Sequence, residues 1–153
     1  MRVDERRVSE IMESEVVTLG AGDRLDLADD VMRLGRVRHL PVLDDGRVVG
    51  IVTQRDLLAA SLTKALAFDP QQRRTFLRSV DVGEVMSREV VTVAPDATLG
   101  QAAALLLGRR IGCLPVVKPD GTLVGLVTET DLLRAAFLPD EDEGYFLAII
   151  QAP

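Results

Sequence analysis

Two residue pairs in this chain have the types and spacing to do chemistry: Thr53 with Asp56, and Thr128 with Asp131. Each sets a hydroxyl three positions ahead of a carboxylate, inside stretches that nearly repeat, GIVTQRDLL at residues 50–58 and GLVTETDLL at residues 125–133. At a helix start, Thr-x-x-acid is a capping box, in which the hydroxyl accepts from a first-turn N–H and the acid accepts from the cap's own N–H. Asp is shorter than the usual Glu or Gln and is expected to reach back less well, although an acid in the first turn still gains about 0.3–1 kcal/mol from the helix dipole. The same groups suit a ligand. A short carboxylate accepts hydrogen bonds from two vicinal ribose hydroxyls, and helix N-termini attract phosphate. Capping alone and nucleotide binding therefore both stand as readings of these four residues. Gly50 and Gly125 fall within predicted strands, where glycine often marks the close approach of a backbone or a ligand, and Leu40-Pro41 and Leu114-Pro115 place a proline where a sheet edge or strand start is expected.

Other reactive side chains are sparse. His39 is the single histidine, so it reads as a hydrogen-bonding or phosphate-facing group and not as a metal ligand, which would want companions. Cys113 is the single cysteine and reads as a small buried hydrophobe. Arg73, Arg74 and Arg78 read as a solvated basic face. No Ser-His-Asp order, Cys-His metal spacing or GxxxxGK[ST] loop is present, so no catalytic residue, metal or required cofactor is expected and the chain is not expected to be an enzyme.

Composition narrows the partners. The net charge of −6, from 18 Lys plus Arg against 24 Asp plus Glu, repels a phosphate backbone, so nucleic acid is not an expected partner. The charged start MRVDERRVSE lacks the apolar run of a secretory signal, and a cytoplasmic location is expected. The longest apolar runs fall far short of the roughly 20 residues that span a bilayer, so no membrane insertion is expected. At 153 residues with 47% apolar residues, the chain can supply a continuous core.

The elements that must position the pairs come in two copies. Val8, Met12, Val16, Thr18, Leu25, Ala28, Leu40 and Pro41 recur as Val82, Met86, Val90, Thr92, Leu99, Ala102, Leu114 and Pro115, an offset of 74 (82 − 8), which becomes 75 after a turn one residue longer in the second copy (125 − 50). In each copy a short β-branched strand is expected at residues 15–19 and 89–93, then an amphipathic helix. A hairpin follows, residues 39–43 with 47–52 and 113–117 with 122–127, the first closed by Asp44-Asp45-Gly46. A second helix closes each copy, at residues 54–67 and 129–137. The fold class is α/β (α+β) with β-α-β-β-α units: residues 8–60 and 82–136, a connector at 61–80, and a tail at 137–153 that finishes apolar and is expected to dock against the rest.

With these elements in place, VxEVMxxxVVTVxPDxT followed by a helix and then hLPVVxxDGxLVGhVTxxDLL resembles the cystathionine β-synthase (CBS) domain, and the chain resembles a stand-alone tandem CBS pair. The resemblance implies two units about a pseudo-twofold axis, a regulatory role, adenosine-containing ligands (AMP, ADP or ATP, with S-adenosylmethionine a rival) and a homodimer. It also implies two shared clefts. One would combine Val16, Val17, Thr18, Arg38, His39, Leu40 and Pro41 with Leu126, Val127, Thr128, Thr130 and Asp131. The other would combine Val90, Val91, Thr92, Gly112, Cys113, Leu114 and Pro115 with Ile51, Val52, Thr53, Arg55 and Asp56. Apolar strand residues would flank adenine, Asp would hold ribose, and Thr with nearby basic groups would meet phosphate. Regulation would pass through an unidentified partner protein or through the dimer. A ligand-free structural adaptor is the alternative, and apolar positions Leu57, Leu58, Leu62, Leu66, Leu132, Leu133 and Phe137 motivate the dimer.

Overall fold

Strands form where β-branched runs meet turn residues, and helices where apolar spacing lengthens to three or four. In the computed structural model, which describes residues 1–62 and 69–138, these signals produce a 3-10 turn at Val3–Glu5 followed by α1 (Val8–Ile11), β1 (Leu19–Gly20), α2 (Leu25–Gly35), β2 (His39–Asp44), β3 (Arg47–Thr53), α3 (Gln54–Leu62), α4 (Pro70–Arg78), α5 (Val82–Val85), α6 (Leu99–Arg109), β4 (Cys113–Val117), β5 (Leu123–Thr128) and α7 (Glu129–Phe137).

The described residues divide into two compact units: 15–91 with 118–123, and 1–14 and 92–117 with 124–138. Their boundaries cut across the repeats, because each repeat lends its opening segment to the unit built on the other. In the first unit, α5 is held by three backbone bonds: Val80 O accepts from Leu25 N, Val82 N donates to Asp23 O and Gly83 N donates to Ala21 O, at 2.9, 2.7 and 2.9 Å. In the second unit α1 is held the same way, by Leu99 N to Arg6 O, Val8 N to Ala97 O and Ser9 N to Pro95 O. Ser87 then pairs with Ile51 on β3, as Glu13 pairs with Leu126 on β5.

In the first unit β1 runs parallel to β2, which pairs antiparallel with β3. Leu19, Leu25, Ala28, Met32, Leu40, Val42, Val52 and Leu57 form its core with Leu77, Val82 and Met86. The expected strand at 15–19 shrinks to Leu19–Gly20, and the one at 89–93 to a single parallel bridge from Val93 to Val116. Residues 16–18 take no regular secondary structure. The hairpin turn behaves as its residues dictate: Asp45 and Gly46 both take positive φ, 49° and 76°, which matches the twist of the flanking strands. Helices α2 and α6 end alike, on Arg36 and Arg110 in the left-handed region at φ 53° and 55°.

The connector departs from expectation. Asp69 caps α4, accepting from Gln72 N at 2.8 Å, with Pro70 at the first helical position, where its missing N–H costs nothing. The arginines read as a solvated face are paired: Arg73 makes a two-pronged contact with Asp29 and Arg74 with Asp30, at 3.1–3.2 Å, while Arg78 lies 3.6 Å from Asp26. Leu77, only 1% exposed, belongs to the core of the first unit. The helix expected at 54–67 is α3, ending at Leu62; residues 63–67, the side chains of Leu62 and Leu66, and the tail from 139 lie outside the described residues.

Candidate functional site

Each Thr-x-x-Asp pair sits at the junction of a buried strand and a nine-residue helix, β3 with α3 and β5 with α7. Both capping boxes are closed. Thr53 N donates to Asp56 Oδ2 at 2.8 Å and Asp56 N to Thr53 Oγ1 at 3.1 Å; Thr128 N donates to Asp131 Oδ2 at 2.8 Å and Asp131 N to Thr128 Oγ1 at 3.3 Å. Asp therefore reaches back fully, against the sequence expectation, because the strand delivers the Thr N–H directly over the first turn. In the second pair Thr128 Oγ1 also donates to Asp131 Oδ2, at 3.0 Å. Both carboxylates spend one oxygen, Oδ2, on the cap. Among the described residues the other oxygen, Oδ1, has no protein hydrogen bond, and both residues are half-buried.

The strand register sorts the remaining candidates. Residues opposite one another in an antiparallel pair point to the same face, so His39 with Thr53 and Pro41 with Ile51 share one face of the first hairpin, and Leu40 with Val52 share the other. Leu40 and Val52 are fully buried in the core, as are Leu114 and Val127 in the second unit. The first unit thus gathers Val16, Val17, Thr18, Arg38, His39, Leu40 and Pro41 with Ile51, Val52, Thr53, Arg55, Asp56, Val90 and Val91. The second holds Thr92, Gly112, Cys113, Leu114 and Pro115 with Leu126, Val127, Thr128, Thr130 and Asp131. Arg38, Arg55 and Thr130 are exposed, while His39, Thr53 and Thr128 are half-buried. Gln54 N bonds to Arg38 O at 3.0 Å, and Glu129 N to Gly112 O at 3.1 Å, so each helix start is tied to the strand start beside it.

Position 39 of the first repeat corresponds to 113 of the second. Cys113 is buried, and desolvation pushes its thiol up to about 12, which makes it an inert filler as read from sequence. His39 opposes Thr53 across the first hairpin.

The glycines have an intramolecular cause. A Cβ on Gly50 would stand 2.5 Å from Met86 Sδ and 3.0 Å from Ser87 O, and one on Gly125 would overlap Met12 Sδ and stand 3.0 Å from Glu13 O. The close approach read from these residues is that of the exchanged segments, and no ligand is needed to account for it. Among the described residues no cluster of His, Cys, Asp and Glu could hold a metal, and no helix is long and apolar enough to cross a membrane.

The CBS domain family model matches this chain twice, at residues 8–63 and 82–137. The chain belongs to the CBS domain family. It is 33% identical over 127 residues to a CBS domain-containing protein of Dictyostelium discoideum, covering 82% of this chain and 88% of that one, but it spans only 23% and 48% of the next two curated relatives. Among solved structures it is similar to CBSX2 in complex with AMP, with a TM-score of 0.71, 30% identity and coverage of 85% of this chain and 95% of that one. It is also similar to the CBS domain pair of protein MJ0100 in complex with 5-methylthioadenosine and S-adenosyl-L-methionine, with a TM-score of 0.70, 25% identity and coverage of 84% and 94%. The two β-α-β-β-α repeats are therefore CBS domains, and CBS pairs related to this chain have been seen with adenosine-containing ligands.

Proposed function

We propose that this CBS pair is a regulatory module that binds an adenine nucleotide, AMP, ADP or ATP, and acts through a dimer or a regulated partner protein. The observation that carries the reading is the divided role of Asp56 and Asp131: one oxygen closes the cap and the other is left for a ribose hydroxyl. Thr53, Arg55, Thr128 and Thr130 flank these carboxylates at helix N-termini suited to phosphate. Arg38 and His39 give the first repeat a cation and an imidazole that Gly112 and Cys113 do not match, so the two repeats are proposed to differ in their preference for phosphorylated ligands. S-adenosylmethionine is the second reading of the ligand, favoured by the MJ0100 complex. A homodimer is proposed to pair through Leu58, Leu133 and Phe137, which are 57%, 60% and 74% exposed; Leu57, 3% exposed, belongs to the core instead, and Leu132 is half-buried.

Calorimetry on Asp56→Asn and Asp131→Asn tests the ligand reading. Asn keeps an oxygen for the Thr N–H, so the fold should lose at most about 1 kcal/mol. Loss of a charge-assisted acceptor should cost roughly 1.5–3 kcal/mol of binding, about ten- to hundredfold in affinity. The two substitutions should weaken phosphorylated ligands unequally, because the basic residues of the two repeats differ. Wild-type protein silent to AMP, ADP, ATP and S-adenosylmethionine at millimolar concentration would leave the repeats as a structural adaptor.

A further inference from the structure

The two repeats differ most where α4 lies on α2. The α2 residues that meet α4 are Asp26, Asp29 and Asp30, with Arg33 bonded to Asp30 at 2.8 Å. Their counterparts on α6, 74 positions on (103 − 29), are Gly100, Ala103, Ala104 and Leu107. The helix that is charged and covered in one unit is apolar in the other, with Leu107 80% exposed and Ala104 also exposed. The start of that face is already occupied: Asp4 of the 3-10 turn lies against Gly100, its carbonyl oxygen 3.3 Å from where a Cβ would stand, as Arg78 lies against Asp26 in the first unit. Among the described residues, the stretch that corresponds to the Arg73 and Arg74 contacts has no such cover.

We propose that the segment at residues 145–150, YFLAII, covers this face of α6. Three observations select it over other occupants. First, spacing: α4 begins 16 positions after the start of α3 (70 − 54), and Tyr145 lies 16 positions after the start of α7 (145 − 129), so the segment leaves its unit's last helix after the same length of chain as α4. Second, both sides of the contact change together. At this spacing Arg73 and Arg74 correspond to Ala148 and Ile149, just as Asp29 and Asp30 correspond to Ala103 and Ala104. Two ion pairs in one unit become two apolar pairs in the other, whereas an unrelated tail would have no reason to lose its charges at the positions where α6 loses its own. Third, α4 crosses α2 with its start toward the end of α2, since Arg74 meets Asp30 and Arg78 meets Asp26. A segment lying the same way brings the acidic stretch Asp140, Glu141, Asp142 and Glu143 to the end of α6, where Arg109 and Arg110 are exposed. The placement satisfies both the apolar face and the charges beside it, and none of it depends on the nucleotide reading.

The test uses the full chain with a photocrosslinking benzophenone in place of Phe146, in a mixture of isotopically light and heavy protein that separates contacts within one chain from contacts between two. The expected products are intrachain crosslinks to the α6 peptide. Ala104→Asp alone and Ile149→Arg alone, each placing an unpaired charge in the apolar contact, should lower that product about tenfold. The double variant, which rebuilds the Asp30–Arg74 arrangement, should restore it. Light–heavy crosslinks would assign the face to a second copy, and crosslinks elsewhere, their absence, or no rescue in the double variant would each overturn the proposal. Ala104 and Ile149 lie outside the nucleotide residues, so calorimetry with AMP is unaffected by the outcome.

Discussion

The lids over α2 and α6 differ far more than the frames beneath them. Each unit docks the other repeat's opening segment with three equivalent backbone hydrogen bonds, one strand bridge and one methionine seated on a glycine. Above that frame, α4 closes the first unit through charged pairs and the buried Leu77, whereas among the described residues the second unit has the 3-10 turn beside an apolar face of α6. Backbone bonds constrain position without constraining side-chain type, so a duplicated unit can hold its architecture while its covering contacts diverge. The same holds at the helix starts, where both caps are closed but the neighbouring residues are Arg38 and His39 in one repeat and Gly112 and Cys113 in the other.

Leu77 and Val3 occupy equivalent positions, and truncating them is the strongest way to break the comparison. Leu77→Ala removes a side chain 1% exposed at the centre of the first unit's cover, and should cost about 2–5 kcal/mol in urea unfolding. Val3→Ala, at a site 38% exposed, should cost no more than about 0.5 kcal/mol. Similar costs would mean that the two lids carry equal weight.

Next in size is the test of the shared frame. Gly50→Ala and Gly125→Ala each force a methyl group against a methionine and a carbonyl oxygen of the exchanged segment, an overpacking expected to cost about 1–3 kcal/mol at either site. The methionine can shift, but the oxygens of Ser87 and Glu13, 3.0 Å away, are fixed by the strand bridges. Equal losses are therefore expected from the two substitutions. A clear inequality would show that the exchange of segments matters more in one unit.

The sequence makes the frame legible and the lids obscure, for a physical reason. Hairpin, cap and amphipathic helix are local: Asp45-Gly46 states its own turn, and Thr-x-x-Asp states its own cap. Gly50 declares a close approach, but its partner Met86 is 36 positions away (86 − 50), and no local rule separates a methionine from a ligand. The α4 arginines fail in the same way. Residues 71–78 show no apolar stripe because their binding face is ionic, and the aspartates they meet stand 44 positions earlier. The available signal was that Asp26, Asp29 and Asp30, and likewise Arg73, Arg74 and Arg78, each fall at helical spacing on one face. At the candidate site, register alone explains why Leu40, Val52, Leu114 and Val127 turn into the core while His39 and Thr53 share the opposite face of the first hairpin.

The smallest expected effect concerns the charged lid itself. Arg74 bonds to Asp30 and holds its carboxyl below the ordinary value of 3.8, with Arg33 and Arg78 adding attraction, while Asp30 in turn raises Arg74. A carboxyl depressed in the folded state contributes stability that is present above its unfolded pKa and is lost as pH falls through the folded one. The hold of α4 on α2 should therefore weaken below about pH 4, where unfolded chains take up a proton that the folded Asp30 resists. Ala104 occupies the corresponding place on α6, so that face of α6 has no matching ion pair; the depressed carboxyl of the second unit is Glu10, held down by Arg6. Hydrogen exchange of α4 and α6 between pH 3 and pH 6, corrected for intrinsic rates, should show protection falling in α4 and holding in α6. Asp30→Asn should flatten the α4 profile. Added salt should weaken α4 in the wild type, because these pairs are partly open to solvent and surface ion pairs are screened. An α4 profile that is unchanged by Asp30→Asn and insensitive to salt would assign the hold on α2 to Leu77 alone, and the ion pairs would then fix the register of the lid without adding to its stability.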